Sequence, residues 1–219
     1  MALTLYAHPF SSYCQKVLIA LYEKDLSFTY RVLSPEDPTA GAELARLWPI
    51  QRFPVLVKAD KTLIEATVIV EFIDLIRPLP TPLLPAEPLD ALEVRFLDRF
   101  FDNYVHTPMQ KLVADALRPV DKRDPHGVGE ARALLDKAYQ WLEQRMAGRE
   151  WAVGESYTLA DCAASPALFY ADWAHRIGEQ FPNVLAYRQR LNARPAFARC
   201  IDEARPYRAF FPLGAPDRD

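Results

Sequence analysis

The sequence predicts a two-part fold, a small α/β sandwich followed by an all-α helical domain. Three observations carry this. Before residue 78, short β-type runs alternate with helix-type runs; after residue 88, the apolar spacing is helical throughout. Between them lies RPLPTPLLPAEP (Arg77–Pro88), which holds five of the chain's 19 prolines. Proline lacks an amide donor and stops helices, so the stretch reads as an extended connector. The expected organisation is residues 1–78, a connector over 79–88, and residues 89–219.

LTLY (Leu3–Tyr6) and FTYRV (Phe28–Val32) read as strands. Between them Cys14, Val17, Leu18 and Leu21 recur at i, i+3, i+4, i+7, one face of a helix. A right-handed crossover makes the two strands parallel. PVLV (Pro54–Val57) and KTLI (Lys61–Ile64) form a hairpin around Lys58–Asp60, and Ala66, Ile69, Val70 and Ile73 mark the next helical face. Past the connector, LDALEVRFLDRFFDNYV reads as a helix capped by Asp90. Ala131, Leu134, Leu135, Ala138 and Leu142 form the apolar stripe of another. Thr158 followed three residues on by Asp161 is a capping box, with Tyr157 and Cys162 at the staple positions and a kink expected at Pro166. Two shorter helices follow, carried by Val184, Tyr187 and Leu191 and by Phe197, Cys200 and Ile201.

Composition excludes several function classes. Half of the 219 residues are hydrophobic and a quarter charged, enough to bury a sizeable core. A net charge of −3 argues against nucleic acid as a main partner. The three cysteines (Cys14, Cys162, Cys200) have no metal spacing and the four histidines are dispersed, so no metal is expected. MALTLYAHPF lacks the charge-then-apolar pattern of a signal peptide, and TVIVEFIDLI is too short and too charged to span a bilayer. A reducing cytoplasm is the expected compartment, with no membrane partner.

LYAHPFSSYCQKV, WPIQRFPVLV, LIEATVIVEFID and YTLADCAASP, in this order and spacing, resemble the cytosolic glutathione transferase family over roughly Leu3 to Pro206. The resemblance implies a thioredoxin-like N-terminal domain, an all-helical C-terminal domain, glutathione as co-substrate and a homodimer. Aligned on Ser-Ser-Tyr-Cys, Ser11 falls where serine-type members place the hydroxyl that contacts the glutathione sulfur. Ser12, which by type and position is a helix N-cap, and Tyr6, at the end of the first strand, are the alternatives. The sequence thus lacks an attacking thiol of its own in this loop: Cys14 begins an apolar helical face and reads as buried and inert, with a mixed-disulfide role as the minority reading.

Phe53 precedes a proline, and a cis peptide at Pro54 would leave the Phe53 backbone free; in the family such a residue pairs with the cysteinyl backbone of glutathione. Glu65 directly precedes a helix, whose amides and positive dipole end suit the γ-glutamyl carboxylate, while Glu65 attracts that group's ammonium. Two positions depart from the family pattern. Ala66 stands where serine is usual, removing one hydrogen bond to a charged group, about 1.5–3 kcal/mol, and Thr67 is one residue too late to replace it. Gln51-Arg52 stands where glycine and a polar residue are common; Arg52 remains a candidate contact to a ligand carboxylate. Phe10 and Tyr104 are the candidate contacts to a second substrate, with Phe100, Phe101 and His106 in the same run, although an aromatic run at helical spacing is also what a core requires.

Ionisation alone has limited value. A thiol of pKa about 8.5 is roughly 3% ionised at pH 7, and one unit of depression raises that about eightfold. Intrinsic nucleophilicity falls about threefold over the same unit. The larger part of any acceleration therefore comes from holding an electrophile beside the sulfur. Three functions fit: glutathione conjugation to a hydrophobic electrophile, glutathione-dependent disulfide or peroxide reduction, and a binding module that has lost turnover.

Overall fold

In the computed structural model, which describes residues 2–219, four short strands form one sheet in the order β2-β1-β3-β4. They are β1 (Leu3–Ala7), β2 (Phe28–Val32), β3 (Val55–Lys58) and β4 (Lys61–Ile64). β1 and β2 pair in parallel, Leu5 opposite Tyr30, as a right-handed crossover through α1 (Ser12–Glu23) requires. β3 runs antiparallel to β1 on its other side, and β4 returns through a two-residue turn at Ala59 and Asp60.

α1 and α3 (Ala66–Ile76) cover one face of the sheet, burying Cys14, Val17, Leu18, Leu21, Ile69, Val70 and Ile73 against Leu3, Leu5 and Leu56. The other face carries α2 (Pro38–Leu47), a helix that periodicity did not predict. Its small residues bury only Ala40 and Leu44, too short an apolar face to read. Asp37 caps it, accepting from the Thr39 and Ala40 amides at 3.2 and 3.3 Å, with Pro38 in the first turn.

The helical half comprises α4 (Pro88–Phe100), a π-helical turn (Phe101–His106), α5 (Thr107–Ala116), α6 (Pro125–Arg145), α7 (Leu159–Ala174), α8 (Pro182–Ala193) and α9 (Pro195–Ala204). α7 is buried on all sides from Leu159 to Trp173, which makes it the central post of the domain. It runs unbroken through Pro166. The Asp161 carboxylate accepts from the Thr158 amide (2.8 Å), the Thr158 hydroxyl (3.1 Å), the Ala152 amide (3.0 Å) and the Tyr187 hydroxyl (2.6 Å), so the capping box also ties the preceding loop and α8 to α7.

Some expectations are corrected. α4 starts at Pro88 and its cap is Glu87, which accepts from the Asp90 amide at 2.8 Å; Asp90 is a first-turn residue instead. Leu134 leaves the α6 stripe and faces solvent, while Ala131, Leu135, Ala138 and Leu142 are buried. The connector is no loose tether. The Lys24 ammonium, buried at the end of α1, donates to the carbonyls of Pro78 (3.1 Å) and Thr81 (2.6 Å) and pairs with Asp74 at 2.7 Å. Asp74 in turn accepts from the Leu83 and Leu84 amides at 2.8 and 3.0 Å. Leu83 is buried, and its carbonyl accepts from the Leu159 amide at 2.8 Å.

Candidate active site

A cleft of about 710 Å³ opens between the sheet domain and the helices, the size of a small-molecule site. Three separate segments meet on its sheet side: Phe10–Tyr13 at the start of α1, Gln51–Pro54 before β3, and Ile64–Ala66 at the start of α3. The sequence candidates line it except Tyr6, Tyr104 and the Phe100, Phe101 and His106 of the same run.

Ser11 is the N-cap of α1, with extended backbone (φ −92°, ψ 122°), and its Oγ accepts from the Cys14 amide at 3.5 Å. In that contact the oxygen only accepts, so it does not use the hydroxyl proton, and the residue is half-exposed to the cleft. Ser12 is not the cap: it is the first helical residue, buried, with its Oγ 3.1 Å from His106 Nε2. Burial, and then the nearby Lys16 ammonium, push the His106 imidazole down to about 3, so it stays neutral. Tyr6 lies outside the cleft. Its hydroxyl donates to Glu43 at 3.0 Å on the α2 side of the sheet, and burial and that carboxylate raise its pKa. Burial pushes the Cys14 thiol up to about 12, although the His8 amide donates to its sulfur at 3.4 Å; it is a fully buried core residue.

The peptide between Phe53 and Pro54 is cis. β3 begins one residue later, and the Phe53 N–H and C=O have no partner among the described residues. Glu65 has φ 69°, in the left-handed region that costs a non-glycine residue about 1–2 kcal/mol. Its side chain caps nothing and has no hydrogen-bond or ion-pair partner among the described residues, so the carboxylate is free at the mouth of the cleft. Gln51 also has a positive φ (56°), which explains why glycine suits this position. Arg52 is exposed at the rim.

The helical side supplies residues that sequence reasoning missed. The π-helical turn closes with the Thr107 amide bonded to the Asp102 carbonyl, five residues back. It aims two side chains at α1: His106 at Ser12, and Asp102 at Lys16 (3.2 Å). Buried Lys16 also pairs closely with Asp98 and donates to the Thr67 hydroxyl at 2.9 Å. Thr67 therefore serves this interdomain network and lies outside the cleft, as its helical position implied. Arg99 completes the cluster, its Nη2 2.7 Å from Asp98 and 2.6 Å from Asp102, and it faces the cleft. The far end is apolar: Met109, Val113, Tyr170, Phe210 and Phe211 stand opposite Phe10. Tyr104 is corrected; it is 48% exposed and packs on Phe100 away from the cleft. Phe100 and Phe101 are core residues.

Comparison with known proteins decides the family. The glutathione S-transferase N-terminal domain model matches residues 5–81 and the glutathione S-transferase C-terminal domain model matches residues 102–195. The chain belongs to the glutathione S-transferase family. This glutathione S-transferase family member has the thioredoxin-like N-terminal domain and helical C-terminal domain of that architecture. It is 28% identical over 212 residues to a probable maleylacetoacetate isomerase of Vibrio cholerae, covering 94% of this chain and 98% of the relative. It is 28% identical over 208 residues to glutathione S-transferase U7 of Arabidopsis thaliana, covering 91% and 85%. A glutathione S-transferase from Methylobacterium radiotolerans, solved with glutathione sulfonate, superposes with TM-score 0.79 at 26% identity, covering 92% of this chain and 95% of that one. Among the described residues, no cluster of three or more His, Cys, Asp or Glu could hold a metal ion, and no helix is long and apolar enough to cross a membrane.

Proposed function

We propose that the chain binds glutathione in this cleft, with Ser11 donating a hydrogen bond to its thiolate, and directs that sulfur at a hydrophobic electrophile. The observation that carries this reading is the convergence of unspent groups from three segments. Ser11 offers a hydroxyl at a helix N-terminus, where a thiolate is favoured over a thiol. Phe53 offers an N–H and a C=O in the pattern of one more strand. Glu65 offers a free carboxylate to an ammonium, and the first amides of α3 a donor edge to a carboxylate. Arg52 stands at the rim for the glycyl carboxylate. The apolar wall of Phe10, Met109, Val113, Tyr170 and Phe211 supplies the second pocket, taking the part first assigned to Tyr104.

The test is calorimetry with glutathione together with turnover of an aryl halide. Ser11→Ala should lower kcat/KM about 10- to 100-fold, the value of one hydrogen bond to a charged acceptor. Absence of any heat with glutathione would sink the reading. An unchanged kcat/KM would move the donor to Ser12, whose proton is free whenever His106 donates through Nε2.

A second reading keeps the same site: reversible addition of the thiolate to a conjugated double bond, which isomerises it on release. The isomerase relative favours it. Reduction of mixed disulfides ranks lower, because Ser11 stands where a thiol would form the protein-bound intermediate. We further propose a division into residues 1–78, 79–88 and 89–219, a reducing cytoplasm as the working compartment, and a homodimer. Exposed Val68 and Leu75 on α3 with Leu89, Leu92 and Phe96 on α4 support the dimer, which sedimentation would reveal.

A further inference from the structure

Resting on the reading that glutathione occupies the cleft, we propose that Arg99 recognises the α-carboxylate of its γ-glutamyl end, taking over from the hydroxyl that Ala66 lacks. Arg99 is set up for such a role. Its Nε donates to Asp98 at 3.0 Å, and its Nη2 binds Asp98, Asp102 and the Thr67 hydroxyl. These bonds fix the plane of the guanidinium, leaving Nη1 without a partner among the described residues. The side chain is 51% exposed, and it lines the cleft together with Glu65 and Ala66.

The charge arrangement fits one end of the ligand only. Lys16 and Arg99 balance Asp98 and Asp102, so the cluster is neutral and holds the guanidinium in place without repelling an anion. Tyr13 lines the same cleft, and burial, then the Asp102 carboxylate, raise its pKa, so its hydroxyl stays neutral there. A free carboxylate (Glu65), a free guanidinium edge (Arg99) and the first amides of α3 form a receptor for a zwitterion, ammonium and carboxylate on one carbon. The γ-glutamyl group presents that pair; the glycyl end presents a carboxylate alone. The arginine belongs to α4 rather than to α3, so the anion contact is transferred from the sheet domain to the helical one. A charged guanidinium N–H at Nη1 outweighs a neutral hydroxyl as a carboxylate donor.

The test is a thermodynamic cycle on the full-length protein, using glutathione and 4-aminobutyryl-Cys-Gly, which lacks only the α-carboxylate. Arg99→Lys keeps the charge that neutralises Asp98 and Asp102 but removes the free Nη1 donor; Arg99→Ala is the more severe partner, and circular dichroism checks that both fold. Wild-type affinity should fall about tenfold or more when the carboxylate is removed from the ligand, and about as much when Arg99 is changed. Making both changes should cost no more than either one. Ala66→Ser in the Arg99→Lys background should recover most of the loss. Additive losses, or glutathione affinity within twofold of wild type in a folded Arg99→Ala variant, would overturn the role of Arg99 while leaving glutathione binding intact. Failure of the unaltered protein to bind glutathione would instead remove the functional reading itself, and this inference with it.

Discussion

Replacing His106 with glutamine should make the protein markedly less acid-sensitive. His106 is 3% exposed, and burial with help from Lys16 lowers its pKa from 6.5 to about 3. Between those values the unfolded chain binds a proton at this imidazole and the folded chain does not. Stability therefore rises with pH across the window and is lost as pH falls below about 6.5. Integrating the two titrations gives about 2 kcal/mol lost between pH 7 and pH 5 from this one residue, still growing toward pH 3. Because the group is buried, solvent screening does not reduce that figure much. Other side chains titrate in the same range, so the informative quantity is a difference: urea unfolding of wild type and His106→Gln at pH 7 and at pH 5. Glutamine keeps an amide donor for Ser12 and has no charged form. The wild type should lose about 2 kcal/mol more than the variant over those two pH units. If both lose the same amount, His106 is either protonated in the native state or not desolvated, and its assignment as a permanently neutral partner of Ser12 is wrong.

Three further outcomes are expected. Asp74→Ala strips the buried Lys24 of its counter-charge and frees two connector amides, so unfolding stability should drop by about 3–5 kcal/mol, with Tm lower by on the order of 10 °C. A loss under about 1 kcal/mol would mean the pair behaves as a surface one. Gln51→Gly relieves a left-handed backbone and should raise stability by roughly 1 kcal/mol, read by thermal unfolding; a destabilised variant would place the side chain in a stabilising contact. All three thiols are buried, and Cys14 is held near pKa 12, so a disulfide reagent at pH 7.5 should label none quickly in the native protein and all three in urea. Rapid native labelling of Cys14 would revive its mixed-disulfide role.

The sheet domain and most of the helices were legible because their signals are local: alternation for β1 and β2, i, i+3, i+4, i+7 spacing for α1 and α3, and paired Thr158 and Asp161 for α7. α2 was not, because Ala40 and Leu44 alone carry its apolar face. The sheet side of the candidate site was legible through the family resemblance, whose motifs fall on Ser11, Phe53, Pro54 and Glu65, each at an element boundary. The helical side could not. Arg99 and Asp102 lie in a run of alternating charge that resembles any solvated helix face, and only the π-helical turn, a feature without a sequence signature, directs Asp102 and His106 toward α1. Tyr104 was misjudged by the same missing turn: ordinary helical spacing does not say which way the chain rotates after Phe100. The partners of Tyr6 and Ser12 were out of reach of any local pattern, lying 37 and 94 positions away in the chain at Glu43 and His106.

The proline-rich stretch has a mechanical consequence. One ammonium grips two of its carbonyls, one carboxylate grips two of its amides, and both belong to helices of the sheet domain, while the Leu83 carbonyl is anchored to the head of α7. The segment is therefore fastened on both sides, to the sheet domain and to the helical one. The two halves are thus joined by ordered backbone beside the cleft, and Phe10 and Phe210 are among the side chains that line the space between them.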